Sequence, residues 1–254
     1  MTNIKMTNML VITGGSKGLG WAIAEKYLQN GWYVLSGSRS KRPNIAVEFQ
    51  DRFRQIEMDV RDRDAHKALV EEAIAWTGQV DCFINNAGFS EWRAIADIDE
   101  DFLTSILQTN LMGYFWGSQA AASILQPGSS LINISSLAAR RGTPNNSAYV
   151  ASKFGVAGLT QSLAKELGPR GIRVNAVCPV LVKTGGLVEA LADKSSPAVG
   201  EPDTFLSNFA ITQTALGALP SASQVADMCF FLSSAQASAI TGQSINVDCG
   251  VLPN

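Results

Sequence analysis

The sequence predicts a doubly wound α/β domain built on a parallel sheet. Near-continuous apolar runs of strand length alternate with stretches of helical periodicity along the chain. The first run, Met9 to Ile12, passes at once into a glycine-rich turn and then an amphipathic helix. The chain has 254 residues, 46% hydrophobic and 17% charged, enough to bury one large core without a second domain.

Taken in order, Met1 to Asn8 is polar and unpatterned and reads as a frayed lead-in. Strand Met9 to Ile12 is followed by Thr13-Gly14-Gly15-Ser16-Lys17-Gly18-Leu19-Gly20, then by a helix with Leu19, Ile23 and Tyr27 on one face that Gly31 closes. A second strand, Tyr33-Val34-Leu35, runs into a polar turn, Ser36-Gly37-Ser38-Arg39. A third, Arg54 to Met58, ends at Asp59-Val60, and a helix with Ala65, Leu69 and Ala73 on one face continues to Gly78. Strand Val80 to Ile84 leads to the turn Asn85-Asn86-Ala87-Gly88, and a long helix covers about Asp99 to Ser123 with Asn110 near its middle. The run Leu131 to Ile134 is a buried strand ending near Ser136, the next helix spans Tyr149 to Leu167, and strand Arg173 to Cys178 follows. Between about 180 and 220 the pattern breaks down, with one short helix at Leu187 to Leu191; so long an irregular stretch in one domain (1–254) reads as a substrate-loop insertion or lid. A helix from Ser221 to Ser233 and a strand from Ser244 to Val247 close the chain.

A net charge of -2 and a pI near 5.5 argue against nucleic acid as a partner. Arg140 and Arg141 read as a solvated loop. No apolar run reaches the ~20 residues of a membrane helix and no leader pattern is visible, so a soluble, cytoplasmic protein is expected. Cys82, Cys178, Cys229 and Cys249 are widely spaced and read as small core residues, and His66 reads as a surface histidine. No metal site is expected.

The chemistry centres on Tyr149 and Lys153, which share a helix face one turn apart. An ammonium close to a phenol favours the phenolate, so the pair suits acid–base work. Ser136 lies at the carboxyl end of a strand, where open α/β sheets bind ligands. By itself the Tyr–Lys spacing more often marks a solvated helix face than a site, roughly nine times in ten. Gly14, Gly18 and Gly20, between a strand and a helix, let backbone N–H groups approach a pyrophosphate.

The G-x-x-x-G-x-G spacing, together with Asn85-Asn86-Ala87-Gly88, Asn110, Ser136, Tyr149, Lys153 and Thr241-Gly242-Gln243, resembles the short-chain dehydrogenase/reductase family, in its short single-domain branch. The resemblance covers essentially the whole chain. It implies a seven-stranded Rossmann-type parallel sheet and hydride transfer between a nicotinamide and a carbonyl or alcohol carbon. It implies that Tyr149 exchanges the proton, Ser136 positions the substrate oxygen, Lys153 tunes the tyrosine and holds the ribose, and Asn110 anchors a water. The cofactor would be held by Gly14, Ser16, Lys17, Gly18, Leu19, Gly20, Ser38, Arg39, Asp59, Val60, Asn86, Ala87, Gly88, Pro179, Val182 and Thr184, besides Tyr149 and Lys153. Asp59 would meet the adenine amino group.

The family's NAD binders usually carry an acidic residue at the end of the second strand. Ser38 stands there, flanked by Arg39 and with Lys17 nearby, so NADP(H) is favoured over NAD(H). Two departures stand out: Val180 and Cys249 occupy positions where the family usually has glycine. The leading expectation is an NADP(H)-dependent reductase of a small or medium ketone. The alternatives are a 3-oxoacyl-carrier-protein reductase, a sugar or polyol dehydrogenase, or a non-catalytic cofactor sensor or scaffold. The carrier-protein reading is weakened because Arg170 is the one cation in a suitable docking region. Phe89 and Trp92 line the pocket or pack in the core, and the resemblance implies a homotetramer or homodimer.

Overall fold

The computed structural model describes residues 8–253, so the expected lead-in lies almost wholly outside the described residues. Seven parallel strands form one sheet: β1 (Met9–Thr13), β2 (Tyr33–Ser38), β3 (Phe53–Glu57), β4 (Cys82–Asn85), β5 (Ser130–Ile134), β6 (Arg173–Pro179) and β7 (Ser244–Val247). Their order is β3-β2-β1-β4-β5-β6-β7. The direction of travel across the sheet reverses after β3, which opens a crevice between the carboxyl ends of β1 and β4. Every residue of β1, β4, β5 and β6 is buried, which explains why these strands read as unbroken apolar runs.

One face is covered by α1 (Gly18–Gln29) and α8 (Ala222–Ser233), packed on each other. Their core holds Ile23, Tyr27 and Leu28 against Leu10, Ile12 and Val225. The other face carries α2 (Arg63–Thr77), α3 (Glu100–Leu107), α4 (Gly113–Ile124) and α5 (Ser147–Leu167), with Leu69, Ala121 and Leu167 against Val11, Phe83 and Leu131. Burying each of these large side chains stabilises the fold by about 1.5–3 kcal/mol.

Four expectations need correction. The supposed turn Ser36-Gly37-Ser38 is the second half of β2, buried and paired in register with β1 and β3. Its small residues are imposed by close packing, since a Cβ on Gly37 would lie 2.2 Å from the Met58 sulfur. His66 is fully buried: the inward face of α2 runs through His66, Leu69, Val70 and Ala73, and Nε2 bonds the Val60 carbonyl at 2.9 Å. Strand β4 begins at Cys82, two residues later than the apolar run suggested. The long helix carrying Asn110 is interrupted by a π-helical turn, Gln108–Met112, between α3 and α4.

The stretch from 180 to 220 is more ordered than its sequence suggests. It contains α6 (Gly185–Leu191) and α7 (Pro202–Gln213), whose buried Leu191 and Leu206 pack with Trp92 and Ala198. Only Leu206 of α7 is buried, so the helix leaves almost no apolar period to read. Cys82, Cys178 and Cys229 are core residues as expected, whereas Cys249 is half-buried with φ +54°. No described helix is long and apolar enough to cross a membrane, and no cluster of metal-ligating side chains occurs among the described residues.

Candidate active site

The crevice is built from the first strand outward. Gly14 and Gly18 take φ of +71° and +54°, which favour glycine, and a Cβ on Gly20 would come within 2.0 Å of the Gly14 carbonyl. Helix α1 starts after Lys17 with no side-chain cap, so its first N–H groups face the crevice as a ready anion site. Asn86 ties the two loops together: its Nδ2 donates to the carbonyls of Thr13 (3.0 Å) and Gly14 (3.1 Å). The backbone N–H groups of Asn86 and Ala87 donate to the Thr13 hydroxyl. Leu19 and Val182 pack into the core beneath these loops. Thr184 caps α6, accepting from the Leu187 N–H at 3.3 Å, and stands 3.6 Å from where a Gly18 Cβ would lie. Pro179 closes β6 beside it.

Gly88 sits against Asn110, whose Oδ1 would lie 2.9 Å from a Cβ there. The Asn110 amide engages Phe89 twice, accepting from its N–H (3.0 Å) and donating to its carbonyl (2.7 Å). Its observed work is therefore to hold the Asn86-Ala87-Gly88 turn, and the π-helical turn brings it into reach. Phe89 itself packs on Phe102, Ile106 and Ala148, so it belongs to the core.

Tyr149 and Lys153 occupy the first turns of α5, and both lie deep in the crevice. Lys153 Nζ donates to the Ile134 carbonyl at 3.0 Å and to the Tyr114 hydroxyl at 3.4 Å. With no carboxylate near, burial pushes its pKa down to about 8. The ammonium lies 5.6 Å from the centre of the Tyr149 ring. Burial raises the Tyr149 pKa, and the Ser136 hydroxyl beside it pulls the other way. Ser136 follows β5 and also accepts from the Ala138 N–H at 3.1 Å. The side chain opposing the burial of Tyr149 is thus Ser136, where the sequence pointed to the lysine.

At the carboxyl end of β2, Ser38 is buried and donates to the Ser40 carbonyl, while the buried Ser16 hydroxyl meets that of Ser40. Lys17 and Arg39 are exposed. Asp59 forms a close ion pair with Arg61 at 2.6 Å, and this pair first, with help from Arg39, holds its carboxyl below the usual range. Both carboxylate oxygens of Asp59 accept from Arg61. The carbonyl of Val60 is taken by His66. Sequence reasoning missed Arg42: its guanidinium stacks on the Trp21 ring at 3.6 Å and donates to the Ser16 carbonyl at 3.4 Å. Nothing in the spacing of Trp21 and Arg42 signals that contact.

On the other side of Tyr149 opens a cavity of about 560 Å³. Ser136 and Tyr149 form part of its wall; Leu137, Val180, Leu181 and Trp92, with Leu187 of α6 and Phe205 and Phe209 of α7, supply an apolar lining. A proton-transfer group, a hydroxyl that can bond a developing oxyanion and an apolar chamber share one place.

A family model described as enoyl-(acyl carrier protein) reductase matches residues 14–252. The 3-oxoacyl-(acyl-carrier-protein) reductase of Staphylococcus aureus is 34% identical over 257 residues, covering 98% of this chain and 99% of that protein. The 3α-hydroxysteroid dehydrogenase of Mediterraneibacter gnavus is 34% identical over 247 residues, 94% of each chain. Among solved structures, the ligand-free aldohexose dehydrogenase of Thermoplasma acidophilum matches with a TM-score of 0.88 at 31% identity, covering 96% of this chain and 94% of that one. These relatives are named for three unlike substrates, so the likeness concerns a shared scaffold and chemistry.

Proposed function

The chain belongs to the short-chain dehydrogenase/reductase family, oxidoreductases that act on carbonyl and CH–OH groups with a nicotinamide cofactor, and from that premise we propose that it is an NADP(H)-dependent ketone reductase. The observation that carries this reading is the placement of Tyr149 and Ser136 on the wall of the 560 Å³ apolar cavity, at the carboxyl edge of the sheet. The crevice fits a dinucleotide: the uncapped N-terminus of α1 suits a pyrophosphate, and the turn around Gly14 and Gly20 has no room for a Cβ. The bound cofactor supplies the hydride to the carbonyl carbon. Tyr149 gives its proton to the carbonyl oxygen, and Ser136 donates a hydrogen bond to the same oxygen as charge develops on it. Lys153, held by Ile134, keeps a cation next to the phenol. Val180, in place of the usual glycine, lines the substrate side of the cavity.

The preference for NADP(H) rests on charge. The segment from Ser36 to Val47 carries Arg39, Lys41 and Arg42 and no carboxylate, and Lys17 stands in the glycine turn before α1. Guanidinium groups suit a 2′-phosphate. The 34% identical carrier-protein reductase keeps a 3-oxoacyl thioester as the second reading. Arg170, the cation that reading needs, donates to the Leu125 carbonyl at 3.1 Å. Assembly belongs to the same proposal: Phe115 of α4 and Phe154 of α5, each 47% exposed, would be covered in a homodimer or homotetramer.

The test is cofactor consumption against ketones, aldehydes, quinones, keto sugars and 3-oxoacyl thioesters, with Tyr149→Phe alongside. Turnover of one class that drops by about 10²–10⁴ in the variant supports the reading. Equal turnover by both proteins would remove Tyr149 as the proton donor.

A further inference from the structure

The cavity next to Tyr149 has a one-sided charge balance. Tyr149 apart, the one ionisable side chain among its lining residues is Arg141, and no carboxylate is among them. Arg141 is half-buried, and no ion pair or side-chain hydrogen bond engages its guanidinium among the described residues. Its neighbours differ. Arg140 reaches the Ser244 carbonyl, Arg93 pairs with Glu91 and Asp99, and Lys183 pairs with Asp203. This half-buried cation shares its cavity with Leu137, Phe205 and Phe209 and has no counter-charge on the wall, so a ligand carrying one negative charge would supply it. A single planar guanidinium matches a carboxylate, whose one charge it balances and whose two oxygens it can bond side by side. A volume of about 560 Å³ lies in the range of pockets that enclose a whole drug-sized ligand.

We propose that Arg141 binds the carboxylate of an apolar keto acid, whose carbonyl lies at Tyr149 and whose hydrocarbon body fills the chamber between Trp92 and Phe209. The assignment rests on the ketone-reductase reading and narrows its substrate class. The carboxylate takes no part in the reduction; it fixes which ketone is presented. A neutral keto sugar, rich in hydroxyls, fits these walls poorly.

The test uses matched pairs, 4-oxopentanoate, 6-oxoheptanoate and 9-oxodecanoate, each against its methyl ester. Affinity is measured by calorimetry on the NADPH-loaded Tyr149→Phe protein, and turnover on the wild type. At one chain length the acid should bind about 10–100-fold more tightly than its ester, as a charge-assisted pair gives. Arg141→Gln should erase that ratio and Arg141→Lys should keep part of it. Acids that bind no better than esters at every length, or a preference that survives Arg141→Gln, would overturn the proposal. Esters reduced as fast as acids through Tyr149 would overturn it while sparing the reductase reading. A carboxylate preference without turnover of either form would instead sink the reductase reading and leave Arg141 as a carboxylate site.

Discussion

Lys153 is tied to Ile134: its ammonium donates to that residue's backbone carbonyl at 3.0 Å, so the helix that carries Tyr149 is pinned to the end of the neighbouring strand. The Tyr114 hydroxyl donates to the same carbonyl at 2.7 Å. The site's buried cation is thus positioned by neutral groups alone.

That arrangement costs stability. Burial lowers the Lys153 pKa to about 8, against about 10.4 in an unfolded chain. Between those values the unfolded state binds the extra proton, so stability should rise with pH across about 8–10.4 and be at its low plateau below 8. Lys153→Met should abolish activity, flatten that rise and stabilise the ligand-free protein by roughly 1 kcal/mol at pH 7, since Ile134 keeps its bond from Tyr114. Urea denaturation at pH 7 and 9.5 reads both effects.

Ser136 opposes the rise that burial imposes on the Tyr149 pKa. Removing it in Ser136→Ala should lower kcat by about 10²–10³. In the alcohol-oxidising direction, which needs the phenolate, the rising, acidic limb of the pH–rate profile should move to higher pH. A profile that keeps its position would mean that Ser136 contributes positioning alone.

Arg39 and Arg42 follow β2, the first exposed, the second stacked on Trp21. Arg39→Asp should weaken NADPH binding by about 10–100-fold and leave NADH within a few-fold. Arg42→Ala should weaken both, NADPH more, because it also frees Trp21 and the Ser16 carbonyl. Fluorescence titration with the two cofactors checks this; equal losses in Arg39→Asp would remove the 2′-phosphate assignment.

Cys249 holds φ +54° in a turn fixed by Asp248, whose carboxylate accepts from the N–H groups of Gly250 and Leu252. A left-handed conformation costs a residue with a Cβ about 1–2 kcal/mol, part of which glycine's greater freedom in the unfolded chain offsets. Cys249→Gly should therefore stabilise by about 0.5–1 kcal/mol and raise Tm by about 1–4 °C in scanning calorimetry.

The glycine turn, the strands around it and the pair Tyr149 and Lys153 were legible because each rests on a local rule: a strand length, a turn angle, one helical pitch. His66 was misread because the inward face of α2 runs one residue over from Ala65, and only packing decides which face turns inward. Helix α7 escaped because Leu206 is the one side chain it buries, which leaves no apolar period. The stacking of Arg42 on Trp21 and the engagement of Asp59 by Arg61 escaped because both partners are chosen by tertiary proximity or by competition among nearby groups.

The π-helical turn at Gln108–Met112 also acts as a phase setter. In an uninterrupted α-helix Ile106 and Tyr114 would point about 80° apart; the extra residue sets the helix back by about 100° and brings them within about 20° of one side. Both are buried, Ile106 beneath Phe89 and Tyr114 over Ile134. Deleting one residue there would leave an unbroken helix, yet swing Tyr114 off Ile134 and out of reach of Lys153. A shortening that looks harmless in an alignment would rotate half of the helix like a mistimed cam.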